Sequence, residues 1–204
     1  MQNPGTGVTY VELMARRLGA AFPRHLSADV AQVCEALRIG DETSLSPDNV
    51  GSFVVKDETI VIPSRVYFDD PSEAARGTLS ELQCQVLACL LTRHADGFVR
   101  QRSAMSLLSS VHAWSAPFVF ALIGEYVVEI IEAIESAVTP RAAELLREVA
   151  TTNVSFAALT RRRVISYWDC YYRRRYRFID YPGFRLLQTL GAWPDAEARD
   201  LRAG

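Results

Sequence analysis

The sequence contains none of the short patterns that usually identify an enzyme or a metal protein. It has no phosphate-binding glycine loop, no G-x-S-x-G nucleophile motif and no HExxH metal motif. Its four cysteines form no CxxC pair and do not stand at metal-ligand spacing from a histidine. The glutamates of 125–135 have no histidine three residues further on, as a carboxylate di-metal site would require. We therefore expect no metal and no organic cofactor.

A long hydrophobic run is also missing. The most apolar stretch, 116–138, carries glutamates at positions 125, 129, 132 and 135, and so many charges argue against a membrane span. Residues 1–8 are small and polar and do not resemble a secretory leader. We therefore expect a cytoplasmic protein with no membrane partner. Its thiols would be reduced, with Cys34, Cys84 and Cys170 acting as small buried apolar side chains.

Lysine is almost absent, since 21 of the 22 basic residues are arginine and only Lys56 is not. This bias is typical of a GC-rich genome, and the planar arginine side chain also suits contacts with carboxylates, phosphates and aromatic rings. The formal net charge of −2 argues against general binding of nucleic acid, which usually requires a basic domain. Any such binding must therefore be confined to a local, arginine-rich segment.

Length and hydrophobic periodicity predict a single, mainly α-helical domain over residues 1–193, built of packed helical hairpins or an irregular bundle. Within it, residues 1–40 form a candidate N-terminal helical layer, and residues 194–204 are predicted to be a frayed tail. β-branched and aromatic residues predict a small inserted β-hairpin near 52–68, which must pack on the helices to be stable. Helical spacing and capping residues predict helices over 9–22, 27–40, 70–95, 98–111, 115–138, 139–149, 153–177 and 184–190.

The most distinctive segment is 155–177, which carries seven arginines, a single acid, Asp169, and six interleaved aromatic residues. Its helical spacing predicts a mostly apolar stripe of Phe156, Leu159, Arg163, Val164, Tyr167, Cys170 and Tyr171. One interpretation is a core helix whose arginines extend outward or pair with a solvent-exposed glutamate stripe at 125–135. The other is a binding surface, for which the candidate residues are Arg161, Arg162, Trp168, Tyr172, Arg173, Arg174 and Arg177.

His94 is the candidate for a catalytic residue. It lies at the predicted end of a helix beside Asp96, with Cys89 and Ser103 nearby in the sequence as candidate nucleophiles. No pattern typical of an oxyanion hole accompanies these residues. The competing interpretation is a histidine that is stabilised by the negative end of its helix.

Residues 90–108 place Asp96 in a turn between two predicted helices, followed by Val99 and Arg100. Ala104 then precedes the pair Leu107 and Leu108. This order resembles the inter-helix turn and second-helix start of HEAT-type α-α repeats. The next predicted helix pair, 114–149, lacks such a turn, and the predicted hairpin departs from the repeat pattern. The resemblance implies helix pairs that stack side by side and present a surface for protein contact.

These patterns together favour a non-enzymatic bacterial protein-binding module, acting as an adaptor or as a neutralising partner of the toxin-immunity kind. It would bind through a helical face with tryptophan, tyrosine and arginine anchors, or through an acidic stripe that meets a basic partner. Two alternatives remain open, a binder of nucleic acid or another anionic ligand through 161–177 and an enzyme with a site centred on His94. A second copy of the same chain is a further candidate for the partner.

Overall fold

The computed structural model describes residues 10–37, 44–46 and 48–194. As predicted, the chain is mainly α-helical and carries a small β-hairpin. The predicted tail, apart from Pro194, lies outside the described residues. The helices in the described ranges are α1 (Tyr10–Gly19), α2 (Ser27–Ala36), α3 (Glu73–Arg76), α4 (Glu81–Leu91), α5 (Gly97–Ser109), α6 (Ala116–Ile123), α7 (Val128–Ala137), α8 (Pro140–Thr152), α9 (Val154–Tyr167) and α10 (Pro182–Thr189).

Local capping residues determine where several helices begin. The hydroxyl of Ser80 accepts a hydrogen bond from the N–H of Gln83, whose side chain accepts one from the N–H of Ser80 at the start of α4. Asp96 caps α5 by accepting a hydrogen bond from the N–H of Phe98 at 2.7 Å. α8 begins at Pro140 directly after Thr139, as the cap-and-proline pattern predicts.

The strands form two short antiparallel pairs. The predicted hairpin is made of β2 (Asn49–Val55) and β3 (Glu58–Pro63), while β1 (Ser44–Leu45) pairs with β4 (Val66–Tyr67). Val55 pairs with Glu58, so the chain reverses at residues 56 and 57. The inward positions of the hairpin are buried and apolar, which holds its register against the helices: Phe53, Val55, Ile60 and Ile62.

The hairpin is joined to the helical body by Asn153, which lies between α8 and α9. Its Oδ1 accepts a hydrogen bond from the N–H of Val54 at 2.7 Å. Its Nδ2 donates to the carbonyl oxygens of Val54 at 3.3 Å and Val149 at 3.0 Å. One amide side chain therefore satisfies both backbone groups of Val54, as a neighbouring strand would. Phe156 adds an apolar contact, because its ring centroid lies 4.4 Å from that of Phe53.

The hairpin turn holds Lys56 in a left-handed backbone conformation, with φ at 53°. Among the described residues it is the only one other than glycine with a positive φ. The left-handed conformation costs most L-residues roughly 1–2 kcal/mol, whereas asparagine adopts it more readily. The turn is therefore locally strained.

We expect Lys56→Asn to raise the free energy of unfolding by about 0.5–1 kcal/mol, because it relieves this strain without the entropic cost of glycine. The matched control is Asp57→Asn, which puts the same side chain at the next residue, where φ is not positive. That variant should stay within about 0.5 kcal/mol of the parent. Urea unfolding measures both, and a Lys56→Asn protein that is no more stable than the parent contradicts a strained turn.

One buried hydrophobic cluster runs through the described chain, from Met14 in α1 to Trp193 after α10. The N-terminal helices contribute to it through residues such as Leu18 and Val33. The chain after α1 also contacts the hairpin, since the N–H of Val61 donates to the carbonyl oxygen of Ala20 at 2.8 Å. The N-terminal helices therefore share a hydrophobic core with the rest of the described chain.

The prediction of one helix over 115–138 is wrong, because the segment forms two helices. α6 ends at Ile123 and α7 begins at Val128. Between them, Gly124 lies so close to α9 that a Cβ at this position would come within 3.3 Å of the Cδ atom of Arg163. The break buries Glu125 and leaves Tyr126 at the surface.

Candidate functional site

The predicted helix over 153–177 is also interrupted. α9 ends at Tyr167 and is followed by a single π-helical turn, Trp168–Tyr172. A π turn contains more residues than an α turn and so rotates the side chains within it and after it, relative to a continuous α-helix. Trp168 and Tyr172 are half-buried, whereas Cys170 and Tyr171 are exposed. The prediction that Cys170 and Tyr171 lie in the inward stripe is therefore wrong.

Three of the seven candidate binding residues have structural contacts. Arg161 donates to the carbonyl oxygen of Ala192 at 2.8 Å and holds the chain that follows α10. Trp168 donates from its ring nitrogen to the carbonyl oxygen of Tyr176 at 2.9 Å. The hydroxyl of Tyr172 is bonded to the backbone around the turn between α6 and α7. These half-buried side chains therefore stabilise the fold through hydrogen bonds to the backbone.

The other four candidate residues are exposed: Arg162, Arg173, Arg174 and Arg177. Two of them have acidic neighbours, because Arg173 lies 3.3 Å from Asp169 and Arg177 lies 3.8 Å from Asp180. The side chains of Arg162 and Arg174 form no ion pair or hydrogen bond with another described residue. The positive charge that this segment can offer is therefore smaller than its composition suggests.

Three tyrosines form a row beside this segment, which we call the tyrosine ledge: Tyr126, Tyr167 and Tyr171. The ring centroid of Tyr167 lies 6.3 Å from that of Tyr126 and 6.3 Å from that of Tyr171. Tyr126 is 51% exposed and Tyr171 is 66% exposed. Sequence reasoning missed Tyr126, because no local pattern shows that the turn after α6 reaches the end of α9.

The ledge is supported by Tyr172. Its hydroxyl donates to the carbonyl oxygen of Tyr126 at 2.6 Å and accepts a hydrogen bond from the N–H of Val128 at 3.3 Å. Its ring stacks on the buried ring of Tyr181, with the centroids 5.6 Å apart. The backbone of Tyr126 is therefore held in place, so a partner that contacts its ring loses less binding energy to ordering this segment.

Directly before Tyr126, Glu125 is buried among three arginines in what we call the Glu125 cluster (Arg65, Arg93, Arg100 and Glu125). Its carboxylate accepts hydrogen bonds from Arg65 at 2.9 and 2.7 Å and from Arg93 at 3.0 Å. The guanidinium of Arg100 lies 3.9 Å away. The prediction that Glu125 belongs to a solvent-exposed stripe is wrong, because the break at Gly124 turns it inward.

The Glu125 cluster has two positive charges in excess, since three guanidinium groups surround one carboxylate. Burial raises the pKa of Glu125, but the charges and hydrogen bonds of Arg93, Arg65 and Arg100 outweigh it and lower the pKa below its ordinary value. Burial lowers the pKa of Arg93 to about 10, so this group is still charged at neutral pH. Charge in a low-dielectric interior is weakly screened and makes the potential at the adjacent surface more positive.

Besides the arginines of the Glu125 cluster, two further arginines flank the ledge. Arg163 packs beside Gly124 and is half-buried. Arg174 follows Tyr171 by three residues and is exposed. Neither of them forms an ion pair with another residue of the described chain. The ledge therefore combines accessible aromatic rings with nearby positive charge.

The remaining glutamates of the predicted stripe lie on the outer side of α7 and are paired. Arg175 lies 3.4 Å from Glu132 and Arg185 lies 2.6 Å from Glu135. Tyr176 also donates to Glu132 at 2.5 Å. This confirms that arginines near the C-terminus pair with the stripe. The three carboxylates of Glu129, Glu132 and Glu135 thus share two guanidinium partners, Arg175 and Arg185, and are partly neutralised within the chain.

His94 makes two backbone contacts. Its Nδ1 accepts a hydrogen bond from the N–H of Asp96 at 3.0 Å, so Nε2 carries the proton that is donated to the carbonyl oxygen of Phe68 at 2.9 Å. The hydroxyl of Ser103 donates to a backbone carbonyl, and burial raises the pKa of the Cys89 thiol well above its ordinary value. These contacts give His94 a structural role and activate neither predicted nucleophile.

Within the described ranges, no group of three or more acidic, histidine or cysteine side chains is arranged to hold a metal ion. No helix in the same part of the chain combines the length and apolar character that crossing a bilayer requires. None of the protein-family models, curated proteins and solved structures compared with the chain matches it. The resemblance of 90–108 to HEAT-type repeats therefore stays a prediction from that segment alone.

Proposed function

We propose that this protein is a protein-binding module whose contact face is the tyrosine ledge, flanked by Arg163 and Arg174. The observation that carries the proposal is the exposure of Tyr126 and Tyr171, at 51% and 66%, on a backbone held by Tyr172. Tyrosine and arginine are over-represented among the side chains that dominate binding energy at protein interfaces. Such a module suits an adaptor, or a protein that neutralises a toxin by covering it.

The partner that fits this face carries acidic side chains. The ledge adjoins the Glu125 cluster with its excess of positive charge, and Arg163 and Arg174 have no acidic partner in the described part of the chain. A carboxylate on the partner can also accept a hydrogen bond from a tyrosine hydroxyl. The opposite charges would chiefly speed association, while the tyrosine rings would supply most of the apolar area that is buried.

Binding of nucleic acid through 161–177 is the alternative that this surface supports less well. Arg173 and Arg177 have neighbouring aspartates, which reduce the charge available to phosphates. Affinity for a nucleic acid strand depends strongly on the number of phosphates that arginine and lysine side chains neutralise. Few arginines of this segment are unpaired within the described chain: Arg162, Arg163 and Arg174.

Photo-crosslinking from the ledge tests the proposal. Benzoylphenylalanine placed at Tyr171 is expected to crosslink a specific protein in an extract of the source cells. The same group placed at Leu13 is the control, because Leu13 is 45% exposed on α1, whose main packing partners are α2 and β3. The captured protein is then purified, and its affinity for the unmodified chain is measured.

We expect Tyr126→Ala and Tyr171→Ala each to weaken that affinity by about 2 kcal/mol or more, roughly 30-fold, as truncation of an interface hot spot does. Tyr67→Ala is the matched control, because Tyr67 is a 47% exposed tyrosine on β4, outside the ledge. It should change the affinity by less than about 0.5 kcal/mol. Circular dichroism checks that each variant is folded.

Other results would assign the surface differently. A Tyr171 crosslink to a second copy of the chain would make the ledge a site of self-association. Binding of mixed single strands at low salt, with a steep loss as salt is added, would favour the nucleic-acid alternative. Full affinity for the captured protein in both tyrosine variants would show that the ledge is not the contact face.

A further inference from the structure

A cleft of about 220 Å³ lies between three turns of the chain. The turn after α1 contributes Pro23 and His25, the hairpin turn contributes Lys56 and Glu58, and the turn before α6 contributes residues 112–114. Two of the three histidines of the protein and its only lysine therefore meet at this cleft. None of these residues belongs to the tyrosine ledge.

The rim of the cleft offers the ammonium group of Lys56 and further hydrogen-bond donors. The carboxylate of Glu58 already accepts a hydrogen bond from the N–H of Arg24 at 2.9 Å, and the Arg24 guanidinium lies 4.0 Å from it. The side chains of Lys56, His25 and His112 form no hydrogen bond or ion pair with any other described residue. A ligand in the cleft thus meets three side chains that can still donate, beside one carboxylate that is partly neutralised.

One wall of the cleft is flat and aromatic. The ring of His112 stacks on that of Trp114, with centroids 5.6 Å apart and planes inclined by 6°. Trp114 is buried and His112 is exposed, so the outer face of the imidazole continues the aromatic surface toward solvent. The buried residues Pro23 and Val55 add apolar lining. A flat wall of this kind favours a planar ligand that stacks on it.

The backbone strain of the hairpin turn is located at this same cleft. Lys56, with φ at 53°, lines it. Residues held in sparsely populated backbone conformations persist where the surrounding structure imposes them, and they cluster at ligand sites. The strained residue here is also the one that supplies an ammonium group.

We infer that the cleft binds a small planar organic anion of the aromatic carboxylate class. The carboxylate of such a ligand pairs with Lys56 and accepts a hydrogen bond from a rim histidine, while its ring stacks on His112. The volume lies below the roughly 300–1,000 Å³ of sites for drug-sized ligands, which restricts the occupant to a small molecule. The inference is independent of the proposed protein-binding function, because the two sites share no residue.

Titration with benzoate, followed by the ¹³C–¹H NMR signals of the histidine rings, tests this inference. Histidine-to-glutamine variants assign the three signals. We expect saturable shifts for His25 and His112 with a dissociation constant on the order of 1 mM or tighter. His94 should not shift, because both of its ring nitrogens are bonded to the backbone. Benzamide, which has the ring without the charge, should bind about tenfold more weakly or worse.

Lys56→Asn is expected to weaken benzoate binding about tenfold or more in a protein that remains folded, whereas Lys56→Arg keeps the charge and most of the affinity. His112→Ala removes the stacking surface and should also weaken binding. Three outcomes would each overturn the inference. They are a titration without saturable shifts, equal shifts at all three histidines, and parental affinity in Lys56→Asn.

Discussion

Replacement of Glu125 by glutamine is expected to lower the free energy of unfolding by about 3–5 kcal/mol. Glutamine keeps the shape of the side chain but removes the only negative charge of the Glu125 cluster. Arg93 and Arg100, each 2% exposed, would then remain buried without a counter-charge. Such a loss is a large share of the roughly 5–15 kcal/mol by which a typical domain is stable.

Equilibrium urea unfolding measures this loss, and Glu129→Gln is the matched control. The Glu129 side chain is 60% exposed and lies 3.9 Å from Arg175, so its replacement should cost no more than about 1 kcal/mol. A double-mutant cycle of Glu125→Gln with Arg93→Gln isolates the interaction between the two side chains, expected at about 0.5–3 kcal/mol. Equal losses in the Glu125 and Glu129 variants would show that the cluster does not govern stability.

The same carboxylate makes stability depend on acidic pH. The pKa of Glu125 is lower in the folded protein than its ordinary value, which applies to the unfolded chain. Its stabilising contribution is therefore complete above that ordinary value and disappears as the pH falls through the lowered folded pKa. Unfolding curves of the parent and Glu125→Gln proteins should thus converge as the pH is lowered through this range. A difference that is independent of pH would contradict the assignment.

Much of the helical part of the fold could be predicted because its signals are local. The Thr139–Pro140 pair sets the start of α8, and apolar residues at helical spacing mark α1 and α5. The hairpin can also be predicted, because its run of β-branched residues is too short to form a helix. These features depend on residues within one or two turns of each other.

The Glu125 cluster could not be predicted because its partners are distant in the sequence. Glutamates at 125, 129, 132 and 135 fit one helical stripe, so their spacing favours four exposed carboxylates. Only Gly124, against which Arg163 packs, departs from that pattern. Arg65 and Arg93 belong to the chain after the hairpin and after α4, and no local rule shows that they reach this glutamate.

Composition identifies the segment that holds the candidate site. It does not show which side chains of that segment face outward. Seven arginines among aromatic residues identify 155–177, whereas the exposed ring of Tyr171 belongs to the π turn Trp168–Tyr172. Tyr172, which ends this turn, is hydrogen-bonded to the turn after α6, and no local sequence pattern shows that tertiary contact. Helical periodicity assumes a constant rotation per residue and therefore assigned Tyr171 to the inward side.

Phe156→Ala is expected to lower the free energy of unfolding by about 3–5 kcal/mol, the usual cost of truncating a buried phenylalanine. Phe156 is 7% exposed, and its ring centroid lies 4.4 Å from that of Phe53 and 6.2 Å from that of Phe120. The hairpin backbone is also close, because a Cβ on Gly51 would come within 3.0 Å of the ring. The substitution therefore opens a cavity where the hairpin meets the start of α9.

Phe98→Ala is the matched control, because Phe98 is 76% exposed and the same atoms are removed. Its stability should stay within about 0.5 kcal/mol of the parent value in urea unfolding. Hydrogen exchange gives a second measurement, since loss of the Phe156 contact should speed exchange in β2 and β3 more than in α4 and α5. If the two alanine variants were equally stable, Phe156 would not be the link between the hairpin and the helix that leads to the tyrosine ledge.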